Sequence, residues 1–150
     1  MTFHTQSFNN RLTDMGDASE NKFLEVAESL GRRPVRFGFD RPPFSIVKIP
    51  KKLRYAPDYI DDKGLIECQG FGRDQIAKLK VEKLNALAAW DAEHPVSLFL
   101  WDSQKKRHTL ISFADLMKLI EGGASNLAYF HDPKAYFAIG AEAFLGWVKS

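Results

Sequence analysis

The chain is poor in cysteine, in long apolar runs and in surplus charge. Cys68 is its one cysteine in 150 residues, which excludes an internal disulfide and a cysteine-rich zinc site and fits a reducing compartment. No apolar stretch approaches the roughly 20 residues that cross a bilayer, and the first fifteen residues lack the apolar run of a signal peptide. The expectation is a soluble, cytoplasmic protein with no membrane partner. His4, His94, His108 and His131 show no paired ligand spacing and are assigned no role. The net charge is +2, from 21 basic and 19 acidic residues. That balance still permits a basic face if the carboxylates are gathered in a site. Repeats and low-complexity tracts are missing, as are helix-turn-helix and zinc-finger patterns.

What is present suffices for one domain with one core: 45% of the residues are hydrophobic and twelve are Phe. Residues 1–16 read as an arm. Asp17 can cap a helix over 17–30, with Glu20 at its third position and Gly31 as its stop. Strands are predicted at 35–39, 44–49 and 53–60, the last containing Pro57, which argues for an edge, a bulge or a strand end. Asp61-Asp62-Lys63-Gly64 is a hairpin turn into a strand over 65–70. Gly70-Phe71-Gly72 releases the chain into a long predicted helix, 74–92. Residues 96–101 form a nearly continuous apolar run, as in a buried central strand. Beyond a basic turn, 108–111 can pair back, and Ser112 caps a helix that Gly122-Gly123 ends. A hairpin over 127–130 and 135–139 and a short helix over 141–148 complete the pattern.

The chemistry is concentrated around Pro57-Asp58 and Glu67-Cys68-Gln69. Side chains alternate along a strand, so Leu65, Glu67 and Gln69 share one face. A charge inside an apolar strand is costly unless it is paired or bound to a cation. The tight turn makes the two strands antiparallel neighbours, which brings Asp58 beside Glu67. Two such carboxylates repel and suit a hard divalent ion, usually Mg²⁺ with several waters; the alternative is a surface hairpin with ordinary acids. Glu20 falls on the apolar stripe of Phe23, Leu24, Ala27 and Leu30, where it can reach that ion, serve the cap, or both. On the long predicted helix, Lys80 and Lys83 fall inside the apolar arc of Ile76, Leu79, Leu84, Leu87 and Trp90. Either can lean over the acids to orient water or offset phosphate charge, or snorkel to the rim. Arg73, in the glycine-rich turn, suits a phosphate.

The pattern Glu20 … Pro57-Asp58 … Glu67-x-Gln69 resembles the PD-(D/E)XK nuclease superfamily. The run Glu67-Cys68-Gln69-Gly70-Phe71-Gly72-Arg73-Asp74-Gln75, followed by Lys78-Leu79-Lys80, resembles the phage Holliday-junction resolvase-type endonucleases. The resemblance covers residues 17–102 and implies an α/β (α+β) fold with a restriction-endonuclease-like αβββαβ core: a mixed central sheet flanked by helices, with residues 103–150 as C-terminal additions. It also implies hydrolysis of DNA phosphodiesters with Mg²⁺, or Mn²⁺ in its place. Asp58 and Glu67 would hold the metal and Glu20 would help. Gln69 stands where the family has lysine, so Lys80, with Lys83 as the alternate, would supply the ammonium and orient or deprotonate the water. The expected partner is branched or double-stranded DNA, contacted by Arg73 and by the clusters Arg32, Arg33 and Arg36; Lys51, Lys52 and Arg54; and Lys105, Lys106 and Arg107. A junction has two strands to cut, so a homodimer suits it. The competing expectations are a nicking or repair-type endonuclease acting on duplex or flap DNA, and a DNA-binding module of this fold that has lost catalysis.

Overall fold

The computed structural model describes residues 8–39, 49–129 and 134–149, with side chains from residue 18 onward apart from residue 129. Its elements are α1 (Phe8–Ser29), β1 (Val35–Arg36), α2 (Lys51–Arg54), β2 (Tyr59–Asp61), β3 (Gly64–Gly70), β4 (Ile76–Lys80), α3 (Val81–Asp91), β5 (Val96–Asp102), β6 (Arg107–Ser112), α4 (Phe113–Glu121), β7 (Ser125–Tyr129), β8 (Ala135–Gly140) and β9 (Val148–Lys149).

Six strands make a mixed sheet in the order β1-β2-β3-β5-β6-β9, and β4, β8 and β7 make a second, three-stranded sheet. In the six-stranded sheet only β3 and β5 run parallel. A parallel pair needs a crossover, which β4 and α3 provide. Alternation along the central strands sends side chains to two cores. Phe23 and Ala27 of α1 pack on Ile66, Cys68, Phe99 and Trp101 on one face. On the other, Leu65, Leu98 and Leu100 meet Leu84 and Leu87 of α3, Leu116 of α4, and Ala77 and Leu79 of the second sheet. Burial on both sides explains why β5 is apolar almost throughout. The expected mixed sheet flanked by helices is therefore present.

Several boundaries differ from the sequence expectation. Helix α1 begins at Phe8, so Asp17 lies inside it and not at its start, and residues 8–16 are helical instead of forming an arm. The strand expected at 53–60 is replaced by the single turn α2 and the shorter β2; Pro57 precedes the strand, where its missing N–H costs no ladder bond. The helix expected over 74–92 is split. Its first part is β4, which pairs antiparallel with β8, and only Val81–Asp91 is helical. The terminal helix expected over 141–148 is a 3-10 turn at Ala141–Ala143 followed by β9. The strand expected at 44–49 lies, except for Ile49, outside the described residues. Among the described residues no helix is long and apolar enough to cross a membrane.

Candidate active site

The β2–β3 hairpin sets the site. Tyr59 pairs with Ile66 and Asp61 with Gly64, so Asp58, one step before Tyr59, falls opposite Glu67. Its position is fixed twice over. The Cys68 backbone N–H donates to Asp58 Oδ2 at 2.8 Å, and the Phe37 N–H donates to the Asp58 carbonyl at 2.9 Å. Glu67 is 3% exposed in the middle of β3, on the face turned toward α3. Lys83, in the first turn of α3, forms an ion pair with the Glu67 carboxylate. The lysine comes from α3 because the β4–α3 crossover lays the start of that helix over β3.

The electrostatics follow from burial. Asp58 is pushed up to about 7, first by its own desolvation and then by the charge of Glu67, against the pull of Lys83. Burial draws Lys83 down, but Glu67 and Asp58 outweigh it and hold the ammonium above its ordinary value. Cys68 is raised by burial and then by the neighbouring acids, so its thiol stays protonated.

Glu20 completes the cluster from α1. Arg36 of β1 grips it with two prongs, Nη1 to Oε1 at 3.2 Å and Nη2 to Oε2 at 2.9 Å. Nη1 also lies 3.7 Å from Asp58 Oδ1, Nη2 donates to the Tyr59 hydroxyl at 3.1 Å, and the guanidinium sits 4.5 Å from the Tyr59 ring centroid. Glu20 is raised above the usual carboxylate range by burial and by Asp58, which together outweigh Arg36.

The donor set fits a divalent ion held in a particular way. Among the described residues no group of three or more His, Cys, Asp or Glu side chains is arranged to hold a metal. Mg²⁺ does not need such a cage, because it keeps several waters and is bound through one or two carboxylates plus substrate phosphate. Asp58 and Glu67 match that requirement in kind: two carboxylates side by side, with Asp58 raised first by burial and then by the charge of Glu67.

The remaining predicted residues divide clearly. Gln69 donates its side-chain N–H to the Gly70 carbonyl at 3.1 Å. Lys80 is the last residue of β4, opposite Tyr136, and not on the helix that carries Lys83. Arg32 pairs with Asp61 at 2.7 Å and Arg107 with buried Asp102 at 2.8 Å. Lys51 pairs with Glu82 at 3.2 Å and Lys105 with Glu142 at 3.1 Å. Lys52 pairs with Glu93 and lies 4.8 Å from the Trp90 ring centroid, and Arg54 lies 5.3 Å from that of Tyr55. Arg33, Arg73 and Lys106 are exposed. Because β3 and β5 are parallel, the loop bearing Arg73 and the turn bearing Lys106 leave the same end of the sheet, the end toward which β2 begins just after Asp58.

Sequence reasoning missed the link of Arg36 and Tyr59 to Glu20. No local signal marks it, since it depends on β1 pairing beside β2. A cavity of about 1000 Å³ lies elsewhere, between α1 and β6, lined by Phe23, Leu30, Phe99, Leu110 and Leu145 among others. It includes none of the clustered acids.

No protein-family model and no curated protein sequence matches the chain. Among solved structures the fold is similar to that of a nuclease from a fusselovirus, with a TM-score of 0.57 and 11% identity, covering 96% of this chain and 88% of that one. At that identity the likeness concerns the fold.

Proposed function

We propose that this chain is a metal-dependent endonuclease that hydrolyses DNA phosphodiester bonds. The observation that carries the reading is the Asp58–Glu67 pair, adjacent across the hairpin, with the Lys83 ammonium set against Glu67. The fold shared with a viral nuclease supports it. Asp58 and Glu67 would hold Mg²⁺, or Mn²⁺ as a substitute. When bound, such an ion lowers the pKa of a coordinated water and offsets charge on the phosphate.

The chain's own residues do the rest. Lys83, paired with Glu67, would supply the ammonium that Gln69 cannot. It stays protonated, so it acts as a hydrogen-bond donor that orients water or a phosphate oxygen and not as the base. Arg73, exposed at the same end of the sheet, steadies a neighbouring phosphate. Hydrolysis adds water across one P–O bond and leaves a phosphate end and a hydroxyl end. Within this reading a branched junction is the favoured substrate, cut by a two-fold pair of chains.

Asp58→Ala and Glu67→Ala are each expected to lower Mg²⁺-dependent cleavage of a labelled four-way junction by at least about a hundredfold while gel-shift binding persists. Wild-type cleavage rates in either purified variant reject the site. Comparing that junction with a linear duplex of the same sequence separates junction cleavage from nicking. Binding without cleavage by wild-type protein favours the module that has lost catalysis.

A further inference from the structure

Arg36 stands among the acids and not on an outward basic face. Its side chain is 30% exposed, that of Glu20 19% and that of Asp58 19%. Both Glu20 oxygens accept from its fork, which is the strongest geometry a guanidinium offers a carboxylate. The stacking on Tyr59 and the bond to the Tyr59 hydroxyl hold the guanidinium in place. Asp58 lies within ion-pair distance of the same group, and its other oxygen is held by Cys68 N–H. Both Glu20 oxygens are committed to the fork by short charge-assisted bonds and so are poorly placed to bind a second cation, whereas Asp58 Oδ1 lies 3.7 Å from Nη1, beyond hydrogen-bond distance.

We propose that Arg36 is a positioning residue that withholds Glu20 from the metal, so that the ion is held by Asp58 and Glu67 and the third acid is kept in reserve. This rests on the reading of Asp58 and Glu67 as metal ligands. It differs from the expectation that Glu20 is a ligand, and from the expectation that Arg36 is a DNA contact. A site short of one ligand leaves coordination positions for water and for a phosphate oxygen, which hydrolysis requires.

The test is Mn²⁺ binding to the DNA-free chain, measured by calorimetry and by the electron-paramagnetic signal of free Mn²⁺. Arg36→Gln is expected to tighten binding about tenfold, because a released Glu20 adds a charged ligand. In an E20Q background the same substitution is expected to give little or no tightening, and E20Q alone is expected to leave affinity near wild type. Arg36→Lys keeps the charge but loses the fork, so it is expected to tighten binding in part; it also serves if Arg36→Gln folds poorly by circular dichroism. A gain that persists in the E20Q background means plain loss of positive charge and overturns the proposal. So does weaker binding in E20Q alone, which makes Glu20 a ligand already. Wild-type protein that binds no Mn²⁺ removes the metal reading and this inference together. Wild-type binding that Asp58→Asn abolishes but Arg36→Gln leaves unchanged removes this inference alone.

Discussion

Asp58 carries a protonation state that the fold itself sets. Burial and then the charge of Glu67 favour the neutral form and push its carboxyl up to about 7. An unfolded Asp titrates near 3.8. The raised value means that the folded state binds the extra proton, so this contribution to stability is fully present below the unfolded pKa and is lost as pH rises through about 7. Asp61 and Asp102 are shifted down by their arginines and other donors, which outweigh burial, and they act in the opposite sense as pH falls. The Asp58 part is therefore isolated by difference. Asp58→Asn keeps an acceptor for the Cys68 N–H and removes the titration. It is expected to gain on wild type by on the order of 3 kcal/mol between pH 4 and pH 8 in urea unfolding with chelator present. A difference that stays flat with pH contradicts the assigned environment.

At the level of elements, the hairpin and the crossover place the chemistry. Gly64 opens β3 with φ +133, and a Cβ added there would collide with the Pro95 carbonyl oxygen. That carbonyl accepts from Leu65 N–H at 2.9 Å, which seats β3 beside the start of β5. Gly64→Ala is expected to cost about 2–3 kcal/mol, from backbone strain and from the forced separation. The measurement is the shift in denaturation midpoint; an unshifted midpoint means the close approach is not what joins these strands. The crossover was partly readable in advance. Ala77 and Leu79 are buried while Lys78 is exposed, the period of two that a strand requires. The neighbouring run from Val81 has the helical period, and Ile76 and Leu79 also fit that stripe, so the local pattern is equally consistent with one long helix. Pairing with β8, distant in sequence, decides in favour of a strand.

Over the whole molecule, charge is distributed unlike its distribution along the sequence. Three basic clusters stand out in the chain, yet Arg32, Arg36 and Arg107 form ion pairs with acids from other elements. Arg73 and Lys106 are exposed at the end of the sheet where β3 and β5 finish and toward which β2 begins just after Asp58. If DNA lies along that end, Arg73→Ala and Lys106→Ala should each weaken duplex binding without changing sequence preference. Each should also reduce the slope of log K against log salt by about 1. Arg32→Ala should leave that slope unchanged. A slope that responds to Arg32 and not to Arg73 or Lys106 puts the nucleic acid on another face.

The residues alone determined the hairpin, the pairing of Asp58 with Glu67 and the buried central strand, because strand alternation and tight turns act over a few residues. Only the tertiary structure decided that Lys83 meets Glu67, that β4 belongs to a second sheet, and that Arg36 grips Glu20. Those outcomes depend on contacts between segments far apart in the chain, where the free energy of packing and ion pairing outweighs local preference.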